Sequence, residues 1–477
     1  MTMGCTRLKK SRTKHRGIRA FQSLLIIALM IILTQSASIG SALDKQWKTY
    51  PYHPPGTSIV FPADEGSHSE KYQIEWWYAN FHLKGQTTKK DYGAMVTFYQ
   101  MKTDVLDNIE YRLFSISDPT SSTTYTNIQV GNLLASTDHL NLTFQNIFYN
   151  DDIQNTNTEM YSDMQTTSPT ADQLNIDTVT LEQIIMENMM LLNTTQSPFT
   201  NNSYMNNASS TNEPQSYDHW CTKSNGQNLL PFQYNLTIAG YSKQDHQPMQ
   251  LSIDMDCQKQ PLPVGGTGFV KIGKDGFSYY YSLTRLSVVG ALMVNGTRET
   301  VSGIAWMDHQ WGNFSNPNPP PYSLTVSMEW FSIKLDDNRE ILTCDTWDLI
   351  TGKKFNQSFS GMNFVNKQGC LELLKEYKIT PINRWNDTYD HCFFANKWWI
   401  TEKSKSINLT VIPVYPEQVI RIDGEHPIVE YILSKIFYNT YFWEGDCTVS
   451  GTINGQNVYG RAYVELTHSY KYISTQT

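Results

Sequence analysis

Trp306-Met307-Asp308-His309-Gln310-Trp311-Gly312 puts an acid, an imidazole and two indoles within seven residues. Upstream, Tyr281–Gly290 alternates as a strand does. Downstream, after Pro317, Pro319, Pro320 and Pro321, Ser327–Leu335 alternates as another. The stretch therefore reads as a crossover between two β-rich halves, and ligands favour such interfaces. Asp308 or His309 could transfer a proton near neutral pH. Trp306 and Trp311 could wall an apolar pocket or face a cation. In the competing reading, Asp308 and His309 pair with each other and with backbone at a buried corner.

Working outward, Glu75-Trp76-Trp77-Tyr78-Ala79-Asn80-Phe81-His82-Leu83 has strand period. Trp76, Tyr78 and Asn80 fall on one face, and Glu75, Trp77 and Ala79 on the other. Ala94, Val96 and Phe98 continue the pattern, as do Tyr111–Ile116, Leu236 with Ile238, and Leu251, Ile253 and Met255. Gly265-Gly266-Thr267-Gly268 lacks the Lys-Ser/Thr of a phosphate loop and reads as a turn. In the second half, Asp336-Asp337-Asn338 predicts a hairpin turn returning through Ile341–Trp347. Further strands are expected at Leu409–Val414, Phe442–Val449 and Val458–Leu466. The fold class is all-β: two barrel or sandwich units in tandem, spanning 43–312 and 313–477. A polar insertion at about 150–216 interrupts the first, carrying a Met-rich helix over Thr180–Leu192.

The chain has 477 residues, a net charge of −8 and aromatics at 13%. That balance argues against a nucleic-acid surface. The one basic run, Arg7–Arg19, precedes the apolar Leu24–Leu33 and small residues up to Ala42. This is the layout of a signal peptide over 1–42, too short for a membrane span. A signal anchor is the alternative. Secretion or lumenal residence is expected, with no membrane span after cleavage. Cys221, Cys257, Cys344, Cys370, Cys392 and Cys447 would then form disulfides. Asn141, Asn193, Asn201, Asn207, Asn235, Asn295, Asn313, Asn356, Asn386 and Asn408 stand in glycosylation sequons. The histidines are scattered and no C-x-x-C is present, so neither a metal centre nor a cofactor is expected.

Several stretches together carry a resemblance: Glu75–Tyr78, Tyr279–Arg285, Gly303–Gly312, Glu329–Asp337, Tyr441–Gly445 and Gly460–Thr467. In this order they resemble the carotenoid 1,2-hydratases and AttH-like lipocalin-domain proteins. The resemblance implies two lipocalin-like barrels meeting at a shared cleft. It also implies hydratase or cyclase chemistry on an apolar, isoprenoid-like or polyketide-like small molecule. A non-catalytic binding protein for such ligands is the alternative, and fold alone does not choose between them.

By the same resemblance, His309 and Trp311 are implicated in catalysis, together with Asp345. Thr343 stands where those hydratases carry a tyrosine. Hydrating an alkene requires an acid able to protonate carbon, and burial keeps a carboxyl protonated. Asp345, or alternatively Asp308, would be that acid. Indole faces of Trp311 and Trp76 would hold the cation. His309 would orient or deprotonate water, with Asp308 fixing His309. Trp76, Tyr78, Tyr281, Trp306, Trp330 and Glu444 would line the substrate site.

Overall fold

The computed structural model describes residues 46–102, 109–146, 217–272, 276–314, 326–348, 353–355, 358–422 and 441–467. The signal segment, the insertion with its expected helix, and Asn193, Asn201, Asn207 and Asn356 lie outside these. The chain divides into Met1–Thr49, of which 46–49 form a turn, and Tyr50–Thr477, which holds every described strand.

Twelve antiparallel strands build the first sheet. They are β1 (Ile74–Gly85), β2 (Asp91–Met101), β3 (Ile109–Asp118), β4 (Thr123–Ala135), β5 (Asn141–Asn146) and β6 (Tyr217–Asn225). Then come β7 (Asn228–Tyr241), β8 (Pro248–Cys257), β9 (Leu262–Pro263), β10 (Phe269–Ile272), β11 (Gly276–Val294) and β12 (Thr297–Asn313). Strand β11 pairs with β12 on one side and β8 on the other, which closes a barrel and removes its edges. A register shift between Leu283 and Leu286 divides β11. Beyond it Leu286–Met293 pair with β8, and before it Tyr281 and Ser282 pair with β9. The tip of the β11–β12 hairpin is Asn295-Gly296, both at positive φ, the conformation a two-residue primed turn demands.

The second sheet comprises β13 (Val326–Leu335), β14 (Glu340–Asp348), β15 (Met362–Val365), β16 (Leu371–Leu374) and β17 (Tyr377–Asp387). It continues with β18 (Cys392–Glu402), β19 (Ile407–Pro413), β20 (Val419–Arg421), β21 (Tyr441–Ile453) and β22 (Gln456–Leu466). Its order is β16-β15-β14-β13-β22-β21-β19-β18-β17, with β20 on β21. The terminal strands β16 and β17 do not pair, so among the described residues this half is a curled, open half-barrel rather than a second closed barrel. The expected turn lies between β13 and β14, with Asn338 at φ 69°.

Alternation on β13 sorts two cores. Phe331, Ile333 and Leu335 join Trp398, Trp443 and Val464 inside the second sheet. Trp330 points the other way and joins Tyr78, Tyr111, Tyr280 and Trp306 of the first. One apolar core is thus shared between the sheets. They approach closely: a Cβ added at Gly93 on β2 would lie 2.8 Å from Asp446 Cβ on β21. All six described cysteines are free thiols, so the expected disulfides are not formed in this structure.

Polar groups also cross the gap. Lys334 Nζ donates to Asn80 Oδ1 at 2.7 Å, Asn80 Nδ2 donates to Ser332 Oγ at 3.0 Å, and Tyr78 OH donates to Glu444 Oε1 at 2.7 Å. Lys334 is fully buried, and burial pulls its ammonium down to about 7. Removing one partner strands the other away from water. Asn80→Ala is expected to destabilise the fold by about 3–5 kcal/mol. Asn80→Ala with Lys334→Met should recover most of that loss in denaturant unfolding.

Candidate active site

Strands β1, β12 and β11 lie side by side in the barrel wall. The opening motif is the interior of β12, not a crossover. Side chains there alternate, so Asp308 and His309 leave opposite faces and do not pair. The expectation that Asp308 fixes His309 is corrected on that ground. Two separate clusters result, one inside the barrel and one in the cleft between the sheets.

The inner cluster is centred on Glu75. Its Oε1 receives His309 Nε2 at 2.9 Å and His68 Nδ1 at 2.9 Å. Its Oε2 receives Gln100 Nε2 at 2.6 Å, Ser67 Oγ at 3.0 Å and the His68 backbone N–H at 2.9 Å. Burial alone would raise this carboxyl, but the donors from His309 and His68 win and hold it at about 2. His309 Nδ1 lies 3.0 Å from the Asp64 carbonyl, so that nitrogen carries a proton. A second proton lies on the Nε2···Oε1 line. Burial pushes His309 down and Glu75 holds it up. Its ring is stacked 4.6 Å from Trp77, while His68 stacks on Trp311 at 4.0 Å. Both nitrogens of His309 are engaged, so it offers no free lone pair to a substrate.

Two histidines scattered in sequence, His68 and His309, therefore converge here, where the sequence alone made no metal cluster evident. His68, Glu75 and His309 place ligand atoms within 4.8 Å of one another. Direct hydrogen bonds already satisfy this trio, and a metal would have to displace them.

The cleft cluster is built differently. Asp308 accepts from Ser282 Oγ at 2.5 Å, Trp306 Nε1 at 2.7 Å and Tyr280 OH at 2.9 Å. Tyr280 in turn accepts from Trp330 Nε1 at 3.2 Å, across the sheets. Burial raises Asp308 to about 6, with its three donors opposing. Facing it are Glu444 and Glu465. Burial and the charge of Glu465 push Glu444 well above the carboxylate range. Burial, then the charge of Asp308, pushes Glu465 up to about 8. Aromatic rings surround these acids. Trp306 and Trp330 meet edge to face at 6.4 Å, Tyr78 meets Trp330 at 5.7 Å, and Trp76 stacks on Tyr99 at 6.0 Å.

Residues 129–470 match the AttH-like family. The chain belongs to that family. Two solved AttH-like folds are similar. A protein of Nitrosomonas europaea described as an AttH has a TM-score of 0.55 and 17% identity, covering 86% of this chain and 97% of its own. Kievitone hydratase from Nectria haematococca has a TM-score of 0.51 and 14% identity, covering 88% of this chain and 98% of its own. No curated protein matches the sequence.

In this AttH-like chain the expected site residues divide into three places. Trp76, Tyr78, Trp306, Trp330, Glu444 and Asp308 meet in the cleft. His309, Trp311 and Tyr281 sit together on the barrel side, Tyr281 5.5 Å from His309. Asp345 lies directly opposite Glu329, on the face of β14 that carries Ile341 into the second sheet's own core. Its Oδ2 pairs with Lys354 Nζ at 2.6 Å; burial raises it and Lys354 opposes. The sequence reading missed Tyr280, Asn80 as a bridge, Lys334 and Glu465. Lys334 carried a signal, a lone cation between Ile333 and Leu335 in a strand. Glu465 carried one too, an acid between Val464 and Leu466. His68 and Glu65 carried none.

Two outcomes follow from these networks. His309→Ala removes a donor from buried Glu75 and is expected to cost about 1–3 kcal/mol in denaturant unfolding. The second concerns pH. Asp308 is raised to about 6, Glu65 and Glu110 to about 7, and Glu465 to about 8. Each group, raised when folded, binds its proton more tightly than in the unfolded chain, so stability falls as pH rises between the two values. His82, lowered to about 4, opposes this up to its ordinary 6.5, and Lys334, lowered to about 7, opposes it above that, but the four raised carboxyls outnumber them. The melting temperature should therefore be higher at pH 5 than at pH 8, and Glu465→Gln should flatten that slope.

Proposed function

We propose that this protein is a secreted, glycosylated enzyme of hydratase or cyclase type, acting on an apolar small molecule in the cleft between the sheets. One observation carries the reading: carboxyls held protonated by burial face indole and phenol rings in a core that two sheets share. An alkene needs a strong local acid to be protonated, and the cation that follows needs π faces rather than water. The cleft supplies both. A cyclase would use the same walls to hold a folded chain near its reactive geometry. Kievitone hydratase, by its name a hydratase, shares the fold, which supports this class of chemistry.

Secretion rests on the basic and apolar N-terminal segment and the sequons. Asn141, Asn295, Asn386 and Asn408 are exposed and suited to carry glycans, whereas Asn235 and Asn313 are half-buried. No described helix is long and apolar enough to cross a membrane.

The test is mass spectrometry of small molecules that co-purify with the secreted protein, before and after incubation in water. Gain of one water by a bound apolar molecule is the expected result for hydration. An isomer of unchanged mass but new retention time indicates cyclisation. A ligand that stays unaltered through prolonged incubation would replace the enzyme with a binding protein.

A further inference from the structure

We propose that Glu444 and Glu465 share one proton across the β21–β22 pair, and that this carboxyl pair is the acid of the cleft. The inference rests on the hydratase reading for its chemistry and on the geometry below for the shared proton.

Glu444 and Glu465 are directly opposed in the strand register. Their neighbours Trp443, Val464 and Leu466 enter the second sheet's own core, so both carboxyls point into the cleft. Opposed Cβ atoms lie about 4.5–5.5 Å apart, and the charge of Glu465 is felt at Glu444. Two carboxylates that close, away from water, do not both ionise. The local cation does not neutralise them, because Lys334 spends its ammonium on Asn80 and lies 5.6 Å over the Trp306 ring. Glu444 accepts one hydrogen bond, from Tyr78. Among the described residues nothing donates to Glu465. It is half-buried, and burial is the first cause of its rise. Glu465 is also opposed to Trp330, which places an indole beside the acid.

The other acids are less suited. Asp308 accepts from three donors, the arrangement of a carboxylate rather than of an acid. Asp345 faces a different core and is held by Lys354.

The carboxyl O–H breaks, its proton goes to the less substituted alkene carbon, and the π pair becomes the new C–H bond. The cation left on the more substituted carbon lies against the indoles. A water oxygen donates its lone pair to that carbon, and the proton released returns to the carboxylate pair. Substrate gains one water and the pair ends as it began.

The test uses infrared spectra of the whole secreted protein over a pH series, together with turnover of a phenol bearing a 3-methyl-2-butenyl chain. Wild type should keep a protonated-carboxyl C=O band at pH 7 that fades near pH 8. E444Q and E465Q should each alter that band, and the double variant should remove the component that fades near pH 8, leaving the part due to Glu65 and Glu110. Turnover should fall about 100-fold or more in either variant, with KM, and the melting temperature at pH 5, little changed. Tyr78→Phe removes a donor that favours ionised Glu444, so the alkaline limb of its pH profile should move upward; a merely structural change would not move it. A band unchanged in the double variant overturns the shared proton. Loss of that component with wild-type turnover in both variants overturns the acid role. An intact band in a wild type that hydrates neither this probe nor its co-purified ligand overturns the hydratase reading and leaves the shared proton standing.

Discussion

The structure turns on the two-residue period of three neighbouring strands, β1, β12 and β11. Each sends one side chain into the barrel and the next into the cleft, so a single wall serves two interiors of unlike chemistry. Inside, Glu75 is held as an anion by at least two imidazoles, an amide and a hydroxyl. Outside, Glu444 and Glu465 are pushed the other way by burial. The same residue type thus takes opposite protonation states on the two faces. Burial acts on both; the number of donors decides between them.

That division makes the inner cluster a stiffener for the outer one. Glu75 ties β1 to β12 through His309, to β2 through Gln100, and to the 64–68 segment through His68. Trp77, His309, Trp311 and His68 stack behind it. A wall so fixed cannot twist without leaving buried donors unpaired, at a cost of about 1–3 kcal/mol each. Tyr78, Asn80, Trp306 and Asp308 project from the other side of that wall and inherit its rigidity. The stretch Trp306–Gly312 therefore carries two jobs in alternate positions: His309 and Trp311 set the wall, and Trp306 and Asp308 face the cleft.

Much of this was legible in the sequence, because alternation is written directly in residue order. The faces of Glu75–Leu83 follow from alternation alone, as do the β13–β14 hairpin and the strands near the C-terminus. The same rule, applied to Asp308 and His309, would have separated them; reading the stretch as a corner concealed it. Choosing Tyr281 over Tyr280 is the same slip by one position, and in a strand one position is the opposite face. Other features were beyond reach. His68 meets Glu75 because the 50–72 segment folds against the barrel, and nothing local says so. Closure of the first sheet through β11 and β8 depends on a register shift at Leu283–Leu286, while openness of the second depends on β16 and β17 failing to meet.

A site for apolar chemistry must admit a ligand, and the barrel interior is poorly placed to do so. Trp77, Phe98, Trp220 and Tyr234 are fully buried there, and the Glu75 carboxylate already has its donors. The cleft differs in kind. Its aromatic core belongs to two sheets that meet through side chains, with Trp76, Met328 and Phe442 packed at its margin and still partly open. Small relative movements of the sheets change its volume without breaking a strand ladder. Lys334, Asn80, Tyr78 and Glu444 limit that movement, since each hydrogen bond they make crosses or borders the gap. The network that holds the halves together thus ends on the carboxyl pair, so the position of the acid and the spacing of the cleft are set by the same bonds.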